Sequence, residues 1–180
     1  MMNKFLRILL IADSLKVFSV AMLGPIYAIY VNDIGGGVLA ASWSVALMSL
    51  SSGITMYLAG KKADKMKNKK VAISLSYLLL ALSYIGYMLV TNVYSLLIVQ
   101  VYAGIAVAIG TPAFDGLYSQ KLDKNKESSE WGNWEIMAEF VSFFGALIGG
   151  LLVVYLGFNA LFIFMAILTL FASIVSYKYL

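Results

Sequence analysis

The chain is organised by six apolar runs of about 18–24 residues, at 8–31, 38–58, 71–90, 94–113, 136–156 and 160–177, each closed by a polar break. At 1.5 Å per residue, a run of this length spans the roughly 30 Å hydrocarbon core of a bilayer. Hydrocarbon offers no water to backbone N–H and C=O groups, so each run must satisfy its own as a helix. Only 12% of the residues are charged and the mean hydropathy is +0.88, whereas a soluble domain carries about a quarter charged residues. Too few polar groups remain to coat a globule in water. The fold class expected is an all-α integral membrane protein, one six-helix transmembrane domain over residues 1–180.

The breaks differ in kind. Asn32–Gly37, Thr91–Val93 and Gly157–Asn159 are short and hold no lysine or arginine. The breaks after the second and fourth runs are basic, with Lys61, Lys62, Lys65, Lys67, Lys69 and Lys70 in one and Lys121, Lys124 and Lys126 in the other. Cytoplasmic loops concentrate lysine and arginine. With both termini on that side, the basic loops, Lys4, Arg7 and Lys178 account for 12 of the 13 basic residues, and Lys16 is left over. An odd number of crossings would spoil this alternation. The chain is therefore expected to be multi-pass in the cell membrane with cytoplasmic termini. Tyr27, Tyr30, Trp43, Tyr94 and Tyr155 fall near the outer interface, and Tyr57, Tyr118, Trp131, Trp134, Tyr177 and Tyr179 near the inner one, a depth that suits an apolar ring with a polar tip. The polar segment Glu127–Glu135 is either a helix lying along the inner interface or a plain loop. No cleaved leader is expected, because the stretch after Lys4 and Arg7 is too long for a signal core and shows no small-residue cleavage site.

Composition also excludes chemistry. Without cysteine or histidine there is no thiolate metal site, no zinc–histidine site and no histidine-activated nucleophile. Neither enzyme activity nor a metal or other cofactor is expected. The net charge of +4 is accounted for by topology, so nucleic acid is not an expected partner.

The first basic loop, Gly60-Lys61-Lys62-Ala63-Asp64-Lys65-Met66-Lys67-Asn68-Lys69-Lys70, resembles the signature loop of the major facilitator superfamily: a glycine, three residues, an aspartate, then a basic cluster between helices two and three. The family's second glycine aligns with Lys67, and its following arginine with Asn68 or Lys69. Gln100-Val101-Tyr102-Ala103-Gly104 is similar to the fourth-helix pattern, with Gln100 in place of arginine, and Thr111-Pro112-Ala113 to the end of that helix. Gly145-Ala146-Leu147-Ile148-Gly149-Gly150 resembles the glycine-rich motif of the family's antiporters, with Ala146 in place of proline. Gly157–Phe162 resembles the turn into helix six. The resemblance covers the N-terminal six-helix half of a bundle that the family builds from two such halves. It implies a conformational-switch loop at Gly60, Asp64, Lys65 and Lys69, with Asp115 pairing to that loop, and a cavity lined by helices one and four.

Ionisable groups inside a span cost about 2.5–3.5 kcal/mol each, so each is a candidate for function. Asp13 and Lys16 lie roughly 8 and 12 Å into the first run, three residues apart on one helix face. They form either a substrate or proton site or a structural ion pair. Tyr27 lies near the same stripe. On helix four, Gln100, Gly104, Ala108, Thr111 and Asp115 recur at helical spacing, and Gln100 and Thr111 can meet a substrate or tie helices together. Glu135 and Glu139 suit a helix N-terminus, and Glu139 is a further proton-carrier candidate. Gly104, Gly145, Gly149 and Gly150 are expected at close helix contacts. The function expected is alternating-access transport of a small solute, with a coupling proton, by a half-size transporter working in the lipid bilayer as a homodimer or with a second half. A non-transporting accessory protein, or a piece of a twelve-helix transporter, is the alternative.

Overall fold

The computed structural model describes residues 4–180, and among these all regular structure is helical. α1 (Lys4–Leu23) leads through a 3-10 turn (Gly24–Ile26) into α2 (Tyr27–Asp33). The remaining helices are α3 (Val38–Ala63), α4 (Lys69–Met88), α5 (Val93–Lys121) and α6 (Glu127–Tyr179). By length and composition, α3, α4, α5 and α6 can each cross a membrane. α1 is also 20 residues long, but it carries Lys4, Arg7, Asp13 and Lys16.

Three boundaries depart from the hydropathy reading. The first run is not one α-helix, because Pro25 lacks the N–H that a continuous helix needs and a 3-10 turn forms there. α5 continues through Pro112 to Lys121, two turns beyond the apolar run. The proline costs one backbone bond, which packed neighbouring helices make tolerable. α6 begins at Glu127, so the polar segment is helical and continuous with the fifth apolar run. Glu127 and Glu130 complement the helix dipole in its first turn and also hold the preceding loop. Glu130 Oε2 accepts from the Asp123 N–H at 2.9 Å and Glu127 Oε1 from the Asn125 N–H at 3.1 Å. At 53 residues α6 would measure about 80 Å if straight. Gly157 breaks it with φ 79°, a left-handed conformation that only glycine adopts at little cost.

α1 packs on α6, α3 on α5, and α4 on both α5 and α6. Small residues permit these approaches. A Cβ added at Gly145 would lie 2.8 Å from the Phe18 carbonyl oxygen, and one at Gly149 would strike the Met22 backbone. A Cβ at Gly104 would strike Ser51 and the Met48 carbonyl, so the bare glycine is what lets α5 approach α3. Gly150 differs from its neighbour: it faces open space, so it makes no close helix contact. Serine hydroxyls add polar ties, as is common where lipid supplies no hydrophobic drive between helices. Ser74 Oγ donates to the Ser173 carbonyl at 2.9 Å and Ser173 Oγ to the Ser74 carbonyl at 2.8 Å, joining α4 to α6.

Large apolar side chains cover much of the exterior. On α3 only Ser44 and Ala63 are buried, while Leu39, Trp43, Leu50, Ile54 and Leu58 are exposed. Trp43, Tyr94, Tyr155, Tyr57, Tyr177 and Tyr179 are exposed as a membrane-interface residue would be. Tyr30 and Tyr118 are instead buried, and Trp134 and Tyr27 turn inward to bond other side chains. Tyr30 packs with Tyr87 and Phe162 at ring separations of 5.9 and 5.1 Å, so its ring fills core rather than interface.

Candidate functional site

Asp13 is the centre of the site. It is 1% exposed, and its carboxylate receives donors from three helices. Lys16 Nζ, one turn along α1, lies 2.8 Å from Oδ1. Tyr77 Oη on α4 donates to Oδ1 at 3.1 Å, and Trp134 Nε1 on α6 donates to Oδ2 at 2.9 Å. A buried carboxylate is tolerated only when paired and hydrogen-bonded, and bonds to a charged acceptor are about twice as strong as neutral ones. Among the described residues this is the single ion pair.

Two cavities meet at Lys16. The smaller, about 160 Å³, is bordered by Asp13, Lys16, Tyr77, Thr111, Asp115 and Trp134. The larger, about 480 Å³, runs from Lys16 to Tyr27 and Gln100 between apolar walls that include Val20, Met48 and Met165. Its volume lies within the range of small-molecule sites. At its far end Gln100 Nε2 donates to Tyr27 Oη, and Tyr27 Oη lies 2.5 Å from Ser44 Oγ. Lys16 therefore links a buried acid to a largely apolar chamber.

Asp13, Lys16, Tyr27, Gln100 and Thr111 thus all border one cavity or the other. Thr111 Oγ1 is bonded to the Val107 carbonyl at 3.0 Å. Glu139 is on the exposed side of α6 and borders neither cavity. Gly60 faces Pro112, 3.9 Å from an added Cβ to the proline side chain, so the loop's first residue sits where α3 approaches α5. Asp64 and Lys65 are exposed. Asp115 forms no ion pair with the basic loop; it borders the small cavity instead, and Lys69 Nζ lies over the adjacent Gly116. Tyr77, Trp134 and Ser44 were not singled out as site residues by the sequence. Trp134 carries the same aromatic signal as an interface anchor, and only its placement beside Asp13 separates the two roles.

The family model of the Major Facilitator Superfamily matches residues 9–180. The chain belongs to the major facilitator superfamily. It is accordingly a multi-pass membrane protein of a family of transporters. Two relatives carry the description "Proton-coupled antiporter flippase LtaA". The protein from Staphylococcus haemolyticus (strain JCSC1435) is 27% identical over 169 residues, 89% of this chain and 42% of the relative. That from Staphylococcus saprophyticus subsp. saprophyticus is 24% identical over 160 residues, 87% of this chain and 40% of the relative. The chain spans about two fifths of the length of these facilitator relatives.

Proposed function

We propose that this facilitator chain supplies one six-helix bundle of a proton-coupled transporter. The two arms of α6 and the continuous α1–α2 run make the fifth, sixth and first crossings, with α3, α4 and α5 between them. The lysine distribution supports cytoplasmic termini in the cell membrane. The observation that carries the coupling is the position of Lys16, bonded to buried Asp13 at 2.8 Å while bordering both cavities. A proton taken up by the Asp13 carboxylate cancels its charge and releases the Lys16 ammonium into the shared wall. Proton occupancy of the small cavity is thereby converted into a change of charge in the large one. The relatives' descriptions as proton-coupled antiporter flippases support this direction and favour an amphiphilic substrate.

The exposed face of α3 is where a second six-helix bundle packs to close the substrate path, and the two rock about it in alternating access. In our reading that bundle is a second copy of the chain; one carried on the same polypeptide is the alternative. Because the sequence holds no cysteine, Trp43→Cys gives a single reporter on the exposed face. It should yield a disulfide-linked dimer in native membranes. A band that stays monomeric under oxidation sinks the homodimer.

An accessory role has one observation in its favour: the Asp13 contacts tie α1, α4 and α6 together. Transport is tested with the full-length protein in proteoliposomes containing a lipid labelled with NBD on one acyl chain. Dithionite should bleach a growing share of the label when a pH gradient is imposed, and a protonophore should abolish the effect. Label movement indifferent to the gradient would remove the coupling, and no protein-dependent movement would favour the accessory role.

A further inference from the structure

We infer that a groove between α3, α4 and α5, beside the basic loop, holds one phospholipid of net negative charge, its acyl chain in the groove and its phosphate on Lys62. The groove shares no residue with the two cavities that meet at Lys16, and its occupancy does not require transport.

The groove has a volume of about 320 Å³ and is bordered by Leu58, Lys62, Met66, Val71, Leu75 and Ile109 among others. Lys62 is the one charged residue on that border. Leu58, Val71 and Leu75 are exposed, so in a bilayer this wall meets lipid rather than water. From Lys62 the border runs back along α3 to Thr55, a distance of about 10 Å at 1.5 Å per residue. That is deep enough for the first part of an acyl chain below a headgroup at Lys62. The Thr55 hydroxyl already donates to the Ser51 carbonyl at 2.7 Å, so its proton is not left unpaired against hydrocarbon.

The charge at the mouth is unbalanced. The loop carries six lysines against Asp64. Lys61 Nζ donates to Tyr57 Oη at 2.6 Å and lies over that ring. Lys70 Nζ lies 6.0 Å from the Tyr177 ring centroid. Lys62, Lys65 and Lys67 are exposed and have no hydrogen-bond or ion-pair partner among the described residues. The helix dipoles sharpen the imbalance. Lys61 and Lys62 suit the C-terminal end of α3. α4 instead opens on Lys69 and Lys70, with no acidic residue in its first turn and no side-chain bond from its N-cap Asn68. Cations at the positive end of a helix repel it, and an anion there relieves both. The next residues, Val71 and Ala72, border the groove, so an anion at this end has an apolar wall directly below it.

Topology alone accounts for lysines in this loop. It does not account for a lysine bordering an otherwise uncharged groove, or for lysines set against an uncapped helix start. Clusters of four to eight basic residues next to a spanning helix attract anionic lipid. A phosphate on a hydrocarbon body fits both the lysines and the groove. Free phosphate leaves the groove unfilled, and a zwitterionic headgroup brings a cation of its own to the lysines.

The test reconstitutes the full-length protein in phosphatidylcholine vesicles with a trace of photoreactive lipid. The probes are phosphatidylglycerol and phosphatidylcholine, each with a diazirine on one acyl chain. After illumination, mass spectrometry locates the adducts. Phosphatidylglycerol should label the groove segments 55–66 and 71–75 severalfold more than phosphatidylcholine, and millimolar inorganic phosphate should not compete. Lys62→Gln should lower that labelling about fivefold, the share one lysine near an anionic surface supplies. Lys61→Gln removes the same charge from a side chain turned to Tyr57, and should leave labelling nearly unchanged. Ala59→Phe, which fills the groove and keeps every lysine, should remove the adducts. Both lysine positions are exposed, so their comparison stands even if Ala59→Phe does not fold. Equal losses in Lys61→Gln and Lys62→Gln overturn the inference, since the loop then acts only as a diffuse positive surface. Equal labelling by the two lipids, or labelling that survives in folded Ala59→Phe, also overturns it. Competition by inorganic phosphate overturns the lipid as occupant. None of these readings involves movement of NBD-lipid, so failure here leaves the transport reading standing.

Discussion

Asp13→Asn should destabilise the protein by about 3–5 kcal/mol, the usual cost of removing one partner of a buried ion pair, and should abolish gradient-driven movement of NBD-lipid. The carboxylate now accepts from Lys16, Tyr77 and Trp134 at 2.8, 3.1 and 2.9 Å. An asparagine offers one carbonyl oxygen and an NH₂ group, so at least one of these donors would face another donor. The Lys16 ammonium would also lose its counter-charge. Removing both charges is a different perturbation. In Asp13→Leu with Lys16→Met neither ion remains to be compensated, and such replacements are often neutral. Most of the lost stability should return, leaving the cost of unpaired Tyr77 Oη and Trp134 Nε1. Movement of the label should not return. Thermal unfolding in detergent and the proteoliposome assay read the two quantities separately. Recovery of gradient-driven movement in the double variant would mean that the pair only joins helices, as the accessory reading requires.

A second large effect is expected at Gly149. Gly149→Leu should prevent recovery of folded protein, or lower its stability by more than about 3 kcal/mol, the upper end of ordinary overpacking. The reason is geometric: the first added atom falls on the Met22 backbone of α1, and backbone cannot rotate away as a flexible side chain can. The neighbouring Gly150→Leu should change stability by only about 0.5 kcal/mol, because open space surrounds that position. The two variants add the same side chain to adjacent residues of one helix, so helix propensity cancels between them. Fluorescence-detected size-exclusion of heated samples is sufficient to compare them. Equal behaviour of the pair would mean that α6 does not present Gly149 to α1.

Much of this protein was legible along the chain because the bilayer imposes a local rule. Every residue in hydrocarbon must belong to a self-satisfied helix, so a run of twenty apolar residues is informative on its own. The loop at Gly60–Lys70 and the glycine-rich pattern at 145–150 pointed to the family for the same reason, as each is contiguous. Helix ends were less legible, since hydropathy ends where charge begins while a helix does not. α5 runs through Pro112 into charged residues, and α6 begins nine residues before its apolar run, held by Glu127 and Glu130. The sequence could not separate Trp134 from Trp43: both are amphipathic rings near a predicted interface, yet one bonds a buried carboxylate and the other is exposed.

The sequence by itself determined the solvent, the helical class and the family, and it placed Asp13 and Lys16 on one face, because helical periodicity makes that a local matter. Only the tertiary structure decided what faces that pair. Trp134 reaches Asp13 across 121 positions, Gln100 reaches Tyr27 across 73, and Gly149 rather than Gly150 lies against α1. The physical reason is the rotation of each helix about its own axis. In lipid the core-facing and outward-facing sides are equally apolar, so hydropathy does not set that rotation. The close approach of small residues and the pairing of buried polar groups set it instead, and both require knowing which helices are neighbours.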